Sequence, residues 1–123
     1  VFGGFYNVAV TEQWTYFKDP NMFIFSFESR GRCETPQRFV LKKKKRDKAY
    51  VCFNRGSDNN GFVFFGCSGG FGLGNERSCT WCGDLSEAFE GIEDTTLTGQ
   101  TNPGSFDNGQ HHHCTRLIAV HLL

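Results

Sequence analysis

Asp19-Pro20-Asn21-Met22-Phe23-Ile24-Phe25-Ser26-Phe27 is the stretch whose reading decides the fold. Its second half alternates: Phe23, Phe25 and Phe27 fall on one side, Ile24, Ser26 and Glu28 on the other. A period of two is the signature of a strand with one buried face. Apolar character puts the aromatic rings on the buried side. Asp-Pro-Asn ahead of them is turn chemistry, because proline fixes φ and an aspartate side chain bonds the local backbone. The expectation is an antiparallel core strand over residues 22–28, entered through a turn.

Composition agrees with a β chain. The sequence has 123 residues, with 14 Phe against a single Met. That length fits one domain with one core. Aromatic and β-branched residues occur in short runs separated by Gly, Asn, Asp and Ser, as strands require. Net charge is zero, so no domain-wide field draws in nucleic acid or an anionic membrane, and such binding would need a local patch. No apolar run approaches the roughly 20 residues of a membrane-spanning helix. A chain that opens at Val1 without Met is expected to be cut from something longer, so the lack of a visible leader carries no weight.

Six cysteines, Cys33, Cys52, Cys67, Cys79, Cys82 and Cys114, are enough for three disulfides. A core this rich in Phe needs no such staples, and Cys52 and Cys67 lie within or beside apolar runs where a thiol behaves as a small hydrophobe. Reduced thiols in a cytoplasmic protein are expected.

Outward from the opening stretch, residues 1–10 read as a strand in which Gly3-Gly4 marks a bulge or a close approach of another backbone. Residues 11–18 form a polar-aromatic connection. Residues 38–41 and 49–53 read as strands joined through the charged turn 42–48, which implies a hairpin. After a polar turn over 54–61, Phe62-Val63-Phe64-Phe65 is an apolar run with both faces buried. Residues 68–74 are glycine-rich, 75–88 show no clean helical period, and 94–108 are the most loop-like. Residues 116–122 close the chain as a strand. About seven short strands with polar turns predict a mainly β, two-layer antiparallel β-sandwich with few or short flanking helices.

Several constellations carry chemistry. Cys79-Thr80-Trp81-Cys82 has the spacing that puts two thiolates on one zinc, and Cys67 or His111, His112, His113 and Cys114 would complete four ligands. The second tight pair of a zinc ribbon is missing, so Cys67, Cys79, Cys82 and Cys114 are weak metal candidates and no cofactor is expected. The same pair as a redox couple would sit at a helix N-terminus, and no helix is predicted there. Gly70-Phe71-Gly72-Leu73-Gly74 lacks the following helix and the lysine of a phosphate-binding loop. Lys42-Lys43-Lys44-Lys45-Arg46 is the one concentrated charge; it suits phosphates, but no stacking platform of aromatics stands beside it in sequence, and a solvated turn is the simpler account. Ser, His and Asp are present without any local motif that arranges them, so no enzyme and no small-molecule substrate are inferred.

The residues resemble the TLDc domain of the oxidation-resistance proteins and their relatives. Val1-Phe2-Gly3-Gly4-Phe5 is similar to that family's early V-F-G-G-Y/F strand. Asp19-Pro20-Asn21-Met22-Phe23-Ile24-Phe25-Ser26-Phe27 resembles its D-P-N-A-F-L-F-S-L signature. Gly3, Gly4, Asp19, Pro20, Asn21, Phe23, Phe25 and Ser26 carry the resemblance. Pro36-Gln37-Arg38-Phe39-Val40-Leu41-Lys42 is similar to its proline-led K-F-P-V-K hairpin, the glycines at 70–74 fall on its F-G-G-G segment, and residues 116–121 on its last strand. The match covers essentially the whole chain and begins inside the family pattern, so the domain over residues 1–123 is expected to lack its N-terminal part. Where the family carries H-D-L this chain has Asn75-Glu76-Arg77, with Glu76 substituting for the Asp, and Ala119 stands where the family has a Glu.

The resemblance implies a two-sheet sandwich, a link to protection from oxidative stress and, in several members, binding to the peripheral sector of the vacuolar proton-pumping ATPase. The expected function is a non-enzymatic protein-interaction domain. Its contact surface is expected at sheet edges, at Gly70, Gly72, Gly74 and Glu76, and at the acidic stretch with Glu90 and Glu93. The alternatives are oxidant scavenging by Cys79, Cys82 or Cys114, and nucleic-acid binding through residues 42–46.

Overall fold

The structure is a computed structural model that describes residues 1–27, 33–53, 63–66, 70–73, 80–97, 118 and 120–122, with the backbone alone for 63–66, 71, 73 and 80–83. Strands β1 (Phe2–Phe5), β3 (Phe23–Ser26) and β4 (Gln37–Val40) form a three-stranded sheet in the order β1-β3-β4. Strands β2 (Tyr16–Lys18), β5 (Tyr50–Phe53), β6 (Val63–Gly66), β7 (Gly70–Leu73) and β8 (Thr80–Gly83) form a five-stranded sheet in that order. Every pairing is antiparallel. A 3-10 helix over Lys43–Lys48 and the single-turn helix α1 (Leu85–Ala88) complete the described elements. The fold is mainly β, in antiparallel sheets with short helices, as expected.

Both sheets feed one apolar cluster. Ile24 and Phe39 come from the three-stranded sheet and Val51 from the five-stranded one, with Phe17 and Phe53 packed against them. Met22, Leu41, Ala49, Leu85, Ala88 and Phe89 belong to the same cluster. Such a shared interior is what a two-layer arrangement requires.

The Asp-Pro-Asn turn does more than open β3. Asp19 is a buried carboxylate. Its Oδ2 accepts the Asn7 amide at 2.6 Å and its Oδ1 the Asn21 amide at 2.9 Å. The Asp19 amide donates to the Ala49 carbonyl at 3.1 Å, and its own carbonyl accepts from Met22 at 3.3 Å. One residue thus ties the segment after β1, the turn, and the start of β5. Charge-assisted bonds of this kind are among the stronger ones in a fold.

The strand that follows runs in the opposite phase to expectation. Met22, Ile24 and Ser26 are the fully buried residues, whereas Phe23 and Phe25 are half-buried and Phe27 is 52 % exposed. The aromatic rings point outward. Volume explains this: Phe39 and Phe89 already occupy the interior from β4 and from the residue after α1. Side chains of intermediate size on β3 are what the remaining space accepts.

The hairpin predicted across residues 42–48 is also overturned. β4 pairs with β3 in one sheet, while β5 pairs with β2 and β6 in the other. The intervening lysines form the 3-10 helix, in which Lys45 donates to the Lys42 carbonyl and Ala49 to that of Arg46. Six residues of such a helix rise about 12 Å, comparable with the roughly 10 Å between packed sheets. Leu41 and Ala49, both buried, anchor its two ends.

Other expectations are corrected. Residues 11–18 contain β2, and residues 75–88 contain β8 and α1. The register of β1 on β3 runs without interruption from Phe2↔Ser26 to Phe5↔Phe23, so the glycines make no bulge. Of the predicted final strand, residues 116, 117 and 119 lie outside the described residues; residues 118 and 120–122 are in no strand, and Ile118, Val120 and Leu122 are 70 %, 73 % and 67 % exposed. Phe62 and the side chains of 63–65 lie outside the described residues.

Asp19→Asn keeps the shape of the latch but replaces one accepting oxygen with a donor that faces an amide. Urea denaturation should show a loss of about 2 kcal/mol, within the range for a buried polar group left unsatisfied. An unchanged midpoint would mean that the carboxylate does not hold these segments together.

Candidate interaction surface

The outer face of the three-stranded sheet is built from cross-strand neighbours. Pairing places Phe5 beside Phe23, Gly3 beside Phe25, Val40 beside Phe23, and Arg38 beside Phe25. Phe5 and Phe23 stack with centroids 4.9 Å apart and planes 20° from parallel. Phe25 and Phe27 pack at 5.3 Å. The Arg38 guanidinium lies 4.3 Å from the Phe23 centroid, the geometry of a cation–π contact. Gly3 makes room for this arrangement: a Cβ there would come within 2.6 Å of Phe25 Cζ. In place of the expected bulge or close approach of another backbone, it is an aromatic side chain that crosses β1 at Gly3.

One edge of this face is acidic. Residues after α1 run alongside β4: the Lys42 amide donates to the Ala88 carbonyl at 2.9 Å, Leu41 bridges Phe89, and the Glu90 amide donates to the Val40 carbonyl at 2.8 Å. Val40 belongs to the aromatic face, so Glu90 starts at its margin. Gly91 follows with φ of +70°, a left-handed turn that suits glycine. Glu90 and Glu93 are exposed. Glu93 lines a shallow groove with Gln37, Phe39, Gly91, Thr95 and Thr96. Asp94 is turned away from this group, its Oδ1 accepting the Ser86 amide at 2.8 Å in the first turn of α1. Glu87 is exposed and 3.5 Å from Lys45, an ion pair that adds little to stability.

Gly70 and Gly72 do not form a surface loop. Both are buried in β7, which is paired on either side by β6 and β8. Their backbone is engaged in the sheet. Gly74 and Glu76 lie outside the described residues. Within the resemblance-bearing set, Gly4 shares the inward face with Ile24, Ser26 is fully buried, and Pro20 and Asn21 are exposed at the turn.

Of the metal candidates, Cys67, Cys79 and Cys114, with His111, His112 and His113, lie outside the described residues, and Cys82 falls in β8. Among the described residues, no group of three or more His, Cys, Asp or Glu is placed to hold a metal ion. No described helix is long and apolar enough to cross a membrane. Glu90 and Glu93 were candidate residues from the sequence, whereas Phe5, Arg38 and Val40, which complete the outer face, and the exposed Phe27 were not. For Phe27 the signal was the alternation itself, assigned to the wrong side.

Cys33 and Cys52 are both buried. The Cys33 thiol donates to the Thr35 carbonyl. Burial pushes the Cys52 thiol up, which keeps it protonated and a poor nucleophile at neutral pH. The folded chain holds this proton to higher pH than the unfolded chain does. Its contribution to stability is therefore full below the ordinary thiol range and is lost as pH rises through the raised value. Mass mapping after a short pulse of thiol reagent at neutral pH should find Cys33 and Cys52 unmodified in the native protein and modified in urea; rapid native labelling at either would contradict the burial. Comparison with protein-family models, with characterised proteins and with solved structures finds no match for this chain.

Proposed function

We propose that this domain is a non-enzymatic protein-interaction module that docks through the outer aromatic face of its three-stranded sheet. The single observation that supports this most is the rank of Phe5, Phe23, Phe25 and Phe27 on that face, with Arg38 laid over Phe23. Phe27 is exposed and the other three rings are half-buried, and such rings on a sheet are efficient anchors, because aromatic and arginine side chains dominate the energetics of interfaces. Each phenyl ring removed from water contributes about 1.5–3 kcal/mol if fully buried. Glu90, beside Val40, puts an acid at the margin of this face, which suits a partner whose apolar patch is bordered by basic residues and speeds encounter with it.

The resemblance to the TLDc family gives the partner class. It supports a role in protection from oxidative stress, exercised in the cytoplasm by binding the peripheral sector of a vacuolar proton-pumping ATPase. Direct scavenging draws no support from Cys33 and Cys52, whose thiols are buried.

Binding to purified peripheral-sector complex tests both parts. Phe27→Asp, at a position more than half exposed, should leave the circular dichroism spectrum intact and weaken binding at least tenfold, the loss typical of an interface anchor. Glu90→Lys combined with Glu93→Lys should slow association several-fold and flatten its salt dependence. Wild-type affinity in both variants would rule out this face.

A further inference from the structure

A second surface, on the five-stranded sheet, has a different chemistry. Tyr16 on the edge strand β2 is 65 % exposed. Its ring meets that of Tyr50 on β5 edge to face, with centroids 4.7 Å apart. Lys18 is the register partner of Tyr50 and shares the face of Tyr16, two residues on. Just beyond the start of β2, Trp14 is 47 % exposed and held at φ of +64°, with its amide donating to the Phe53 carbonyl at 2.8 Å. A bulky residue in that backbone region is strained and persists where the surroundings impose it. The chain thus keeps an indole at the surface at some expense.

The lysine-rich helix leads directly into this surface, because Lys48 precedes Tyr50 by two residues. The structure divides the cations of that run. Lys42 donates through Nζ to the Ser86 carbonyl and Lys45 pairs with Glu87, so these two are turned toward α1. Lys43, Lys44, Arg46 and Lys48 are exposed, as is Lys18. Asp47 and Glu12 are the exposed acids on the same segments, and Glu12 accepts from the Thr15 hydroxyl.

We propose that the Tyr16–Tyr50 ring pair, with Lys18 beside it and the exposed cations of the helix that precedes β5, binds single-stranded nucleic acid. The cations alone would equally suit an acidic peptide, but the rings are what a base adds to the phosphate chemistry. Stacking on exposed aromatics requires bases free of a duplex, and it tolerates any sequence because every base has a π-face. The lysines supply the electrostatic part, which releases counterions and falls with salt.

Fluorescence anisotropy with a labelled oligothymidylate of about twelve nucleotides tests this on the whole chain. If about four phosphates are neutralised, affinity should drop roughly 50-fold between about 50 and 200 mM salt. Tyr16→Ala should weaken binding roughly fivefold or more without changing the salt slope. Lys43→Ala with Lys44→Ala should flatten that slope, and Lys18→Glu, on the same face as the rings, should weaken binding independently of them. The proposal is overturned by the absence of binding at low salt, by equal affinity for polyglutamate or for a duplex of the same length, or by wild-type affinity in Tyr16→Ala. None of these results touches the aromatic face of the other sheet, which uses different residues.

Discussion

The phase of β3 is the constraint on which the structure depends, and the Asp19 carboxylate sets it. A strand has a side-chain period of two, so a slip of one residue would exchange its faces completely. By accepting from Asn7 and Asn21 while its own amide bonds Ala49, Asp19 fixes where β3 begins relative to β1 and β5. Met22, Ile24 and Ser26 then turn inward. Everything proposed for the outer face follows from that choice.

Two crossings carry this constraint through the fold. The 3-10 helix takes the chain from β4 to β5, between buried Leu41 and Ala49. The segment after α1 returns to lie beside β4, where Phe89 fills the centre of the apolar cluster. Both meet at α1, where Lys42 reaches the Ser86 carbonyl. Beneath a net charge of zero, Glu90 stands beside Val40 at the aromatic face of one sheet and Lys18 is the register partner of Tyr50 in the other.

Local chemistry was legible in the sequence, and long-range pairing was not. The Asp-Pro-Asn turn, the strand after it and the mainly β class all follow from residues next to one another in the chain. The side of β3 that is buried depends instead on Phe39 and Phe89, which arrive from elsewhere and take up the interior volume. A hairpin across residues 42–48 was the economical inference from two adjacent strands, yet each found its partner in a different sheet. Tyr16 and Tyr50 meet only because β2 pairs with β5, and no local pattern joins positions so far apart. Gly70 and Gly72 looked like loop residues by composition, while their flat backbone serves a strand flanked on both sides.

Hydroxyl-radical footprinting of the native protein addresses the orientation of β3 most directly, since Met22 is the single methionine of the chain and an intrinsically reactive side chain. Oxidation of Phe25 and Phe27 with protection of Met22 is the expected pattern, because the rings face outward and the thioether is buried. Rapid oxidation of Met22 with protected phenylalanines would place the aromatic rings inside and contradict the account.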